Sequence, residues 1–279
     1  MNRGAVLTSA IALLAGVILT TVRLRNDAAS PSTDDPTAPP RSPAAVRAAL
    51  FAEVQPVKLA NCELERFGEA HDGGYLMCSN LLGEVEAGYS YGINGFDGWG
   101  CQISAKLGVR VHQYDCFNTE APLCPAGNAV FHAECVADTR HVEDGRPFDT
   151  IANQTMANGD GTKRIVLKID VEGAEWDSFL QTPDDVLRRI DQLAVEFHFV
   201  NEEKFIRAIR KLKTHFYLAH VHFNNWSCRP DLKPFPAYAY EVLFVSRRLG
   251  VVVPSERWGG LAPADAPNNP DTPDCQASF

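Results

Sequence analysis

The chain has 279 residues, 45% hydrophobic and 22% charged, with a formal net charge of -9. That length suits one sizeable globular domain with a stem or tail and crowds two full domains. The acidic balance excludes broad binding to nucleic acid or to an anionic membrane surface, both of which need clustered positive charge. The expected partner is a neutral or locally bound molecule.

In chain order, the run from Ala5 to Val22 carries no charge and is bracketed by Arg3 and by Arg23 and Arg25. Spanning a bilayer takes about 20 apolar residues, so residues 1–25 read as a single-pass signal anchor. A cleaved signal peptide fits less well, because no clean small-x-small site follows the apolar run. The flanking arginines leave the orientation open. Residues 26–45 are rich in Pro, Ser, Asp and Thr and read as a disordered stem. A folded domain is expected over 46–253, followed by a Pro-rich irregular tail over 254–279.

Eight cysteines (62, 78, 101, 116, 124, 135, 228 and 275) include no CxxC pair and no zinc-finger spacing, so no metal cluster is expected. In an oxidising lumen some would form disulfides, with connectivity left open. The acceptor sequons at Asn153 and Asn225 are compatible with a lumenal domain.

Within the domain, β-branched and aromatic runs alternate with helix-like stretches, the pattern of βα units around a largely parallel sheet. Strands are expected at Ala87 to Ile93, Val109 to Asp115, Ala129 to Ala137, Arg164 to Val171, Gln192 to Val200, Phe216 to Phe223 and Tyr240 to Ser246. Helices are expected at Cys101 to Leu107, Phe148 to Ala157, Glu175 to Arg189 and Glu202 to Thr214. No helix separates the last two strands, which suits an antiparallel pair at a sheet edge.

The first of these strands runs into NGFDGWG. Gly92, Asn94, Gly95 and Gly98 there would let the backbone approach a ligand, with free amides at the following helix start. The spacing is not GxGxxG, so a dinucleotide fits poorly. Asp115 closes the next strand, roughly 20 residues on, where an acid in such folds accepts bonds from ribose hydroxyls. In KIDVEGAEWDSF, an apolar strand ends in Asp170 and Glu172, alternate residues that share a face near the ligand-binding rim. Lys168 is expected to snorkel or to pair with an acid. His71 to Cys78 (HDGGYLMC) offers either a lid over the ligand or a tight turn.

KIDVEGAEWDSF resembles the signature of the FkbM-type methyltransferases, and more closely that of the methyltransferase-like 24 group. The resemblance continues in HDGGYLMC, in YSYGINGFDGWG with HQYD, in LAVEFHF, in HVHFNNW and in YEVLFV, in the right order over about residues 60 to 247. It implies a Rossmann-like seven-stranded methyltransferase sheet with an antiparallel last pair. It also implies S-adenosylmethionine as cofactor, held by Gly92, Asn94, Gly95, Gly98, Asp115 and Asp170. The glycine loop departs from the usual pattern, with Tyr91 where an acid often stands.

The reaction expected is O-methylation of a glycan or small hydroxyl compound in the secretory lumen, with Asp170, Glu172, His198 and His222 as candidate catalytic groups. His198 follows Glu196 on one strand face, and His222 lies near the end of another strand; either imidazole would serve as base. The acidic groups with a histidine would suit Mg or Mn by donor type, but the spacing does not demand a metal and none is assigned. Two other classes stay open: a non-catalytic lumenal binding or scaffold module with the same fold, and a type II glycosyltransferase suggested by the anchor and stem.

Overall fold

The computed structural model describes residues 40–257 and 262–275. The expected anchor, and the stem as far as residue 39, lie outside the described residues. Among those described, no helix is long and apolar enough to cross a membrane. Helix α1 (Pro43–Glu53) begins inside the segment read as stem. The Ser42 side chain accepts the amide of Ala45, Pro43 occupies a first position that needs no donor, and Val46, Leu50 and Phe51 are buried.

Seven strands form the central sheet: β1 (Ala87–Tyr91), β2 (Arg110–Tyr114), β3 (Asn128–His132), β4 (Ile165–Ile169), β5 (Ile190–His198), β6 (Phe216–Phe223) and β7 (Ala239–Ser246). Their order is β6-β7-β5-β4-β1-β2-β3. Strands β1 to β5 pair in parallel, and β7 lies between β5 and β6, antiparallel to both. The result is a mixed α/β architecture with a mostly parallel sheet, compatible with a Rossmann-like fold. Strands β1, β4, β5 and β7 are buried along their whole length. Both faces are covered, so β4 reads as a nearly continuous apolar run, while β5 and β7 also bury polar side chains such as Gln192, Glu196, His198 and Glu241.

The flanking helices are α2 (Gly98–Leu107), α3 (Ile151–Ala157), α4 (Glu175–Gln181), α5 (Asp184–Leu187) and α6 (Glu203–His215). Asp97 caps α2 through the amide of Gly100, and Gly108 closes it in the left-handed conformation. The stretch read as one helix from Glu175 to Arg189 is two, because Thr182 turns extended and Pro183 has no amide to continue the ladder. Helix α6 buries Phe205, Ile206, Ala208, Ile209 and Leu212 on one face.

The strand expected over Ala129 to Ala137 stops at His132. Cys135–Val136 pairs instead with Arg146–Asp149, in a small sheet completed by His141–Glu143. The HDGGYLMC segment is one arm of a hairpin, Gly74–Cys78 against Leu64–Gly68, with Asp72 and Gly73 in its turn. The tail does not start as irregular chain, since Val252–Arg257 pairs with Val57–Leu59.

Residues 262–275 have no regular structure, yet they dock on the domain. Asn225 donates to the carbonyls of Asn269 and Thr272, so this sequon asparagine is buried and committed. Asn268 donates to Glu241, and Cys275 is bonded to Cys228. All eight cysteines are paired, as Cys62–Cys78, Cys101–Cys124, Cys116–Cys135 and Cys228–Cys275. Four disulfides indicate an oxidising, secretory or extracellular environment.

Candidate functional site

Strands β1, β2 and β4 end at one rim of the sheet, and the loops leaving them enclose a cleft of about 610 Å³, within the range of small-molecule sites. It sits where the strand order reverses, between β1 and β4, which is where open α/β sheets bind ligands. Gly92, Asn94, Gly98, Asp115, Asp170 and Glu172 all line it, so the structure brings these sequence-predicted positions together. Gly95 does not line it and packs against the Asn118 side chain.

Gly92 is the position that permits this arrangement. Its φ of +71 is left-handed, and a Cβ there would overlap the carbonyl oxygen of Asp170. Only glycine lets the loop after β1 pass this close to the end of β4. Two of the four non-glycine residues with positive φ among the described residues, Asn94 and Glu172, also line this cleft. Backbone held in this sparsely populated conformation clusters at functional sites.

Asp115 stands at the expected place with a different set of partners. Its Oδ2 accepts the amides of Ile93 (3.2 Å) and Asn94 (2.8 Å), and its Oδ1 accepts those of Phe117 (2.8 Å) and Asn118 (3.0 Å). The carboxylate ties the loop after β1 to the loop after β2. A ribose hydroxyl would share acceptors that are already engaged.

Six carboxylates line the cleft (Glu69, Asp72, Asp97, Asp115, Asp170 and Glu172) against one cation, Lys168. Lys168 donates to the carbonyls of Gly92 (2.8 Å) and Tyr91 (3.3 Å) and lies 3.8 Å from Asp170. It therefore closes the end of β1 and does not reach solvent by snorkelling. Phe96 and Phe117 supply exposed aromatic walls, Phe117 packing edge-on to Phe148.

Behind Asp170 the sheet carries a buried polar cluster. The Tyr75 hydroxyl donates to Asp170 Oδ2 at 3.2 Å. His198 Nε2 faces Glu172 at 3.4 Å, Glu196 at 3.7 Å and Asp170 at 3.9 Å, while its Nδ1 lies 3.4 Å from Glu175. Glu175 is itself fixed by the amides of His198 and Gly173. Burial works against protonation of His198, but Glu175, Asp170 and Glu172 outweigh it and hold the imidazole above its ordinary range. Glu196 accepts from Asn224 at 2.9 Å, and burial, with Asp170 and Glu241 nearby, raises its carboxyl well above the usual value. Glu241, opposite Glu196 on β7, is pushed up to about 7, chiefly by burial.

His222 is placed elsewhere. It lies on the edge strand β6, fully buried, 3.5 Å from Asp265 and 3.6 Å from Asp274 of the docked tail, and lines none of the cleft. The strand β7 separates it from β5 and His198, so His222 faces Glu241 and the tail rather than the cleft. Sequence reasoning missed Tyr75, Glu175 and Glu241. All three lay within motifs already singled out (HDGGYLMC, KIDVEGAEWDSF and YEVLFV), but their roles arise from strand and helix packing, which those motifs do not show.

The fold and cleft define an α/β protein with an acidic, small-molecule-sized cleft at the carboxyl rim of its sheet. No family model matches the chain, and no curated protein matches it.

Proposed function

We propose that the chain is an S-adenosylmethionine-dependent methyltransferase acting on a hydroxyl of a glycan or small lumenal compound, from a domain tethered to the membrane by residues 1–25. The observation that carries this reading is the charge of the cleft: six carboxylates and one lysine at the β1/β4 switch point. S-adenosylmethionine brings a sulfonium, an ammonium and one carboxylate, a net positive charge, and no phosphate, so it suits an acidic cleft better than a phosphate-bearing ligand does. A nucleotide sugar or dinucleotide would bring a diphosphate against the same carboxylates. This weighs against the glycosyltransferase alternative. The strand order with a reversed β7, and the motif order resembling FkbM-type methyltransferases, support the finer reading of a methyltransferase sheet.

In this reading the nucleoside lies along the Gly92–Asn94 backbone and the Phe117 wall, with the methionine end toward Asp72 and Asp170. The acceptor oxygen forms its bond to the methyl carbon as the carbon–sulfur pair returns to sulfur, and the hydroxyl proton leaves to the group formed by Asp170, Glu172 and His198. Alignment supplies most of the acceleration in such a displacement.

Calorimetry and thermal unfolding of the purified chain with S-adenosylmethionine test the reading. Saturating cofactor at about 100 times Kd should add roughly 2.7 kcal/mol. Labelled cofactor incubated with fractionated glycans and metabolites then identifies the acceptor. Absence of any shift or heat, or binding of a nucleotide sugar in its place, would overturn the proposal.

A further inference from the structure

Asp170, Glu196 and His198 each present a donor atom, and the three atoms lie within 4.8 Å of one another. An octahedral ion with metal–ligand bonds near 2.1 Å separates its donors by about 3.0 Å (cis) to 4.2 Å (trans). His198 Nε2 stands 3.7 Å from Glu196 and 3.9 Å from Asp170, inside that span. Such distances are too long for hydrogen bonds and suit atoms that share an ion. Because the outer limit of 4.8 Å exceeds the trans separation, the half-buried Asp170 side chain would have to rotate toward the other two for all three to bind one ion.

A second, independent observation is the histidine itself. Its side chain is 4% exposed, and its Nε2 is directed into the carboxylates of Glu172, Glu196 and Asp170. Behind it stands Glu175, wholly buried, with one oxygen 3.4 Å from Nδ1 and both oxygens fixed by backbone amides. A carboxylate behind the far nitrogen is the usual support of a metal-bound imidazole, since it fixes the tautomer and points the free lone pair at the ion. The other two ligands are oriented in the same way. Tyr75 holds Asp170 Oδ2, leaving Oδ1 toward His198, and Asn224 holds Glu196 Oε1 at 2.9 Å.

We infer that Asp170, Glu196 and His198 form a binding site for a first-row divalent cation of the Mn²⁺ type, open on the cleft side. Two carboxylates with one imidazole fall between the all-oxygen sites of Ca²⁺ and Mg²⁺ and the thiolate sites of softer ions, and every cysteine is in a disulfide. The role of the ion rests on the methyl-transfer reading, whereas its binding does not. In that role the ion binds the acceptor hydroxyl and lowers its pKa, His198 is a ligand rather than the base, and the exposed Glu172 receives the proton.

The test uses the full chain, stripped with chelator and titrated with Mn²⁺ while the free-ion paramagnetic resonance signal is followed. One ion per chain should be retained, and the bound ion should show hyperfine coupling to one imidazole nitrogen. Glu196→Gln and His198→Gln should each weaken binding at least about tenfold, with the exposed variant Glu143→Gln unchanged and folding checked by circular dichroism. The site is overturned if the wild-type chain shows no saturable binding or no nitrogen coupling, a result that does not depend on how the variants fold. Calorimetry with S-adenosylmethionine on the same samples separates the two ideas. Cofactor binding without Mn²⁺ binding removes the metal site alone, and Mn²⁺ binding without cofactor binding removes the methyl-transfer role alone.

Discussion

Replacing Asp115 by alanine removes a carboxylate that accepts four backbone amides, those of Ile93, Asn94, Phe117 and Asn118. A hydrogen bond to a charged group contributes about 1.5–3 kcal/mol net. Only the Ile93 contact is fully buried, so the other three amides can turn to water and recover part of their loss. The expected destabilisation is about 3–5 kcal/mol, which for a domain of this size lowers Tm by roughly 10 °C. Asp115→Asn keeps one acceptor oxygen but sets its amide group against two N–H donors, and should lose about half as much. Because the Ile93–Asn94 loop lines the cleft, S-adenosylmethionine affinity should fall by about tenfold or more in both variants. Thermal unfolding with disulfides intact and calorimetry with the cofactor measure the two effects. A Tm within about 2 °C of wild type for Asp115→Ala would refute the claim that this carboxylate joins the two loops. Unchanged cofactor affinity in a destabilised variant would detach the loops from the binding site.

Gly92→Ala places a Cβ on the Asp170 carbonyl oxygen at a left-handed residue, and should cost at least about 2 kcal/mol in urea unfolding; a neutral result would mean that the loop does not pass this close. Changing Cys228 and Cys275 to serine opens a link with a sequence separation of 47, for which chain entropy gives about 4 kcal/mol, and should expose residues 262–275 to protease. His112 is pulled down to about 4, chiefly by burial, with Asp160 at 3.3 Å opposing. Its folded pKa lies below its unfolded one, so its contribution to stability is complete above about pH 6.5 and is lost as pH falls toward 4. His112→Gln should therefore flatten the acid limb of the stability profile by up to about 1.4 kcal/mol per pH unit, and an unchanged slope would assign that limb to other groups.

Much of the framework was legible because each strand of the central sheet is a short β-branched or aromatic run, and helix-period stretches fall between β-strands. Where the local pattern misled, the cause was either a residue with a backbone constraint or a strand pairing outside the local window. Pro183 divided one expected helix, and the pairing of Cys135–Val136 with Arg146–Asp149 ended one strand early. The hairpin around Asp72 and the edge pairing of Val252–Arg257 have partners too distant in sequence for periodicity to register.

The sequence alone determined which residues could build a cleft: the glycines after β1, an acid after β2, and the Asp170–Glu172 pair after β4. Their types and spacing to strand ends follow from local backbone geometry, which composition and period reveal. Only the tertiary structure decided what Asp115 holds, that His198 joins Asp170 while His222 is covered by the tail, and which cysteines pair. Those outcomes depend on lateral strand order and on long-range docking, and contacts between residues dozens of positions apart leave no periodic trace in the chain.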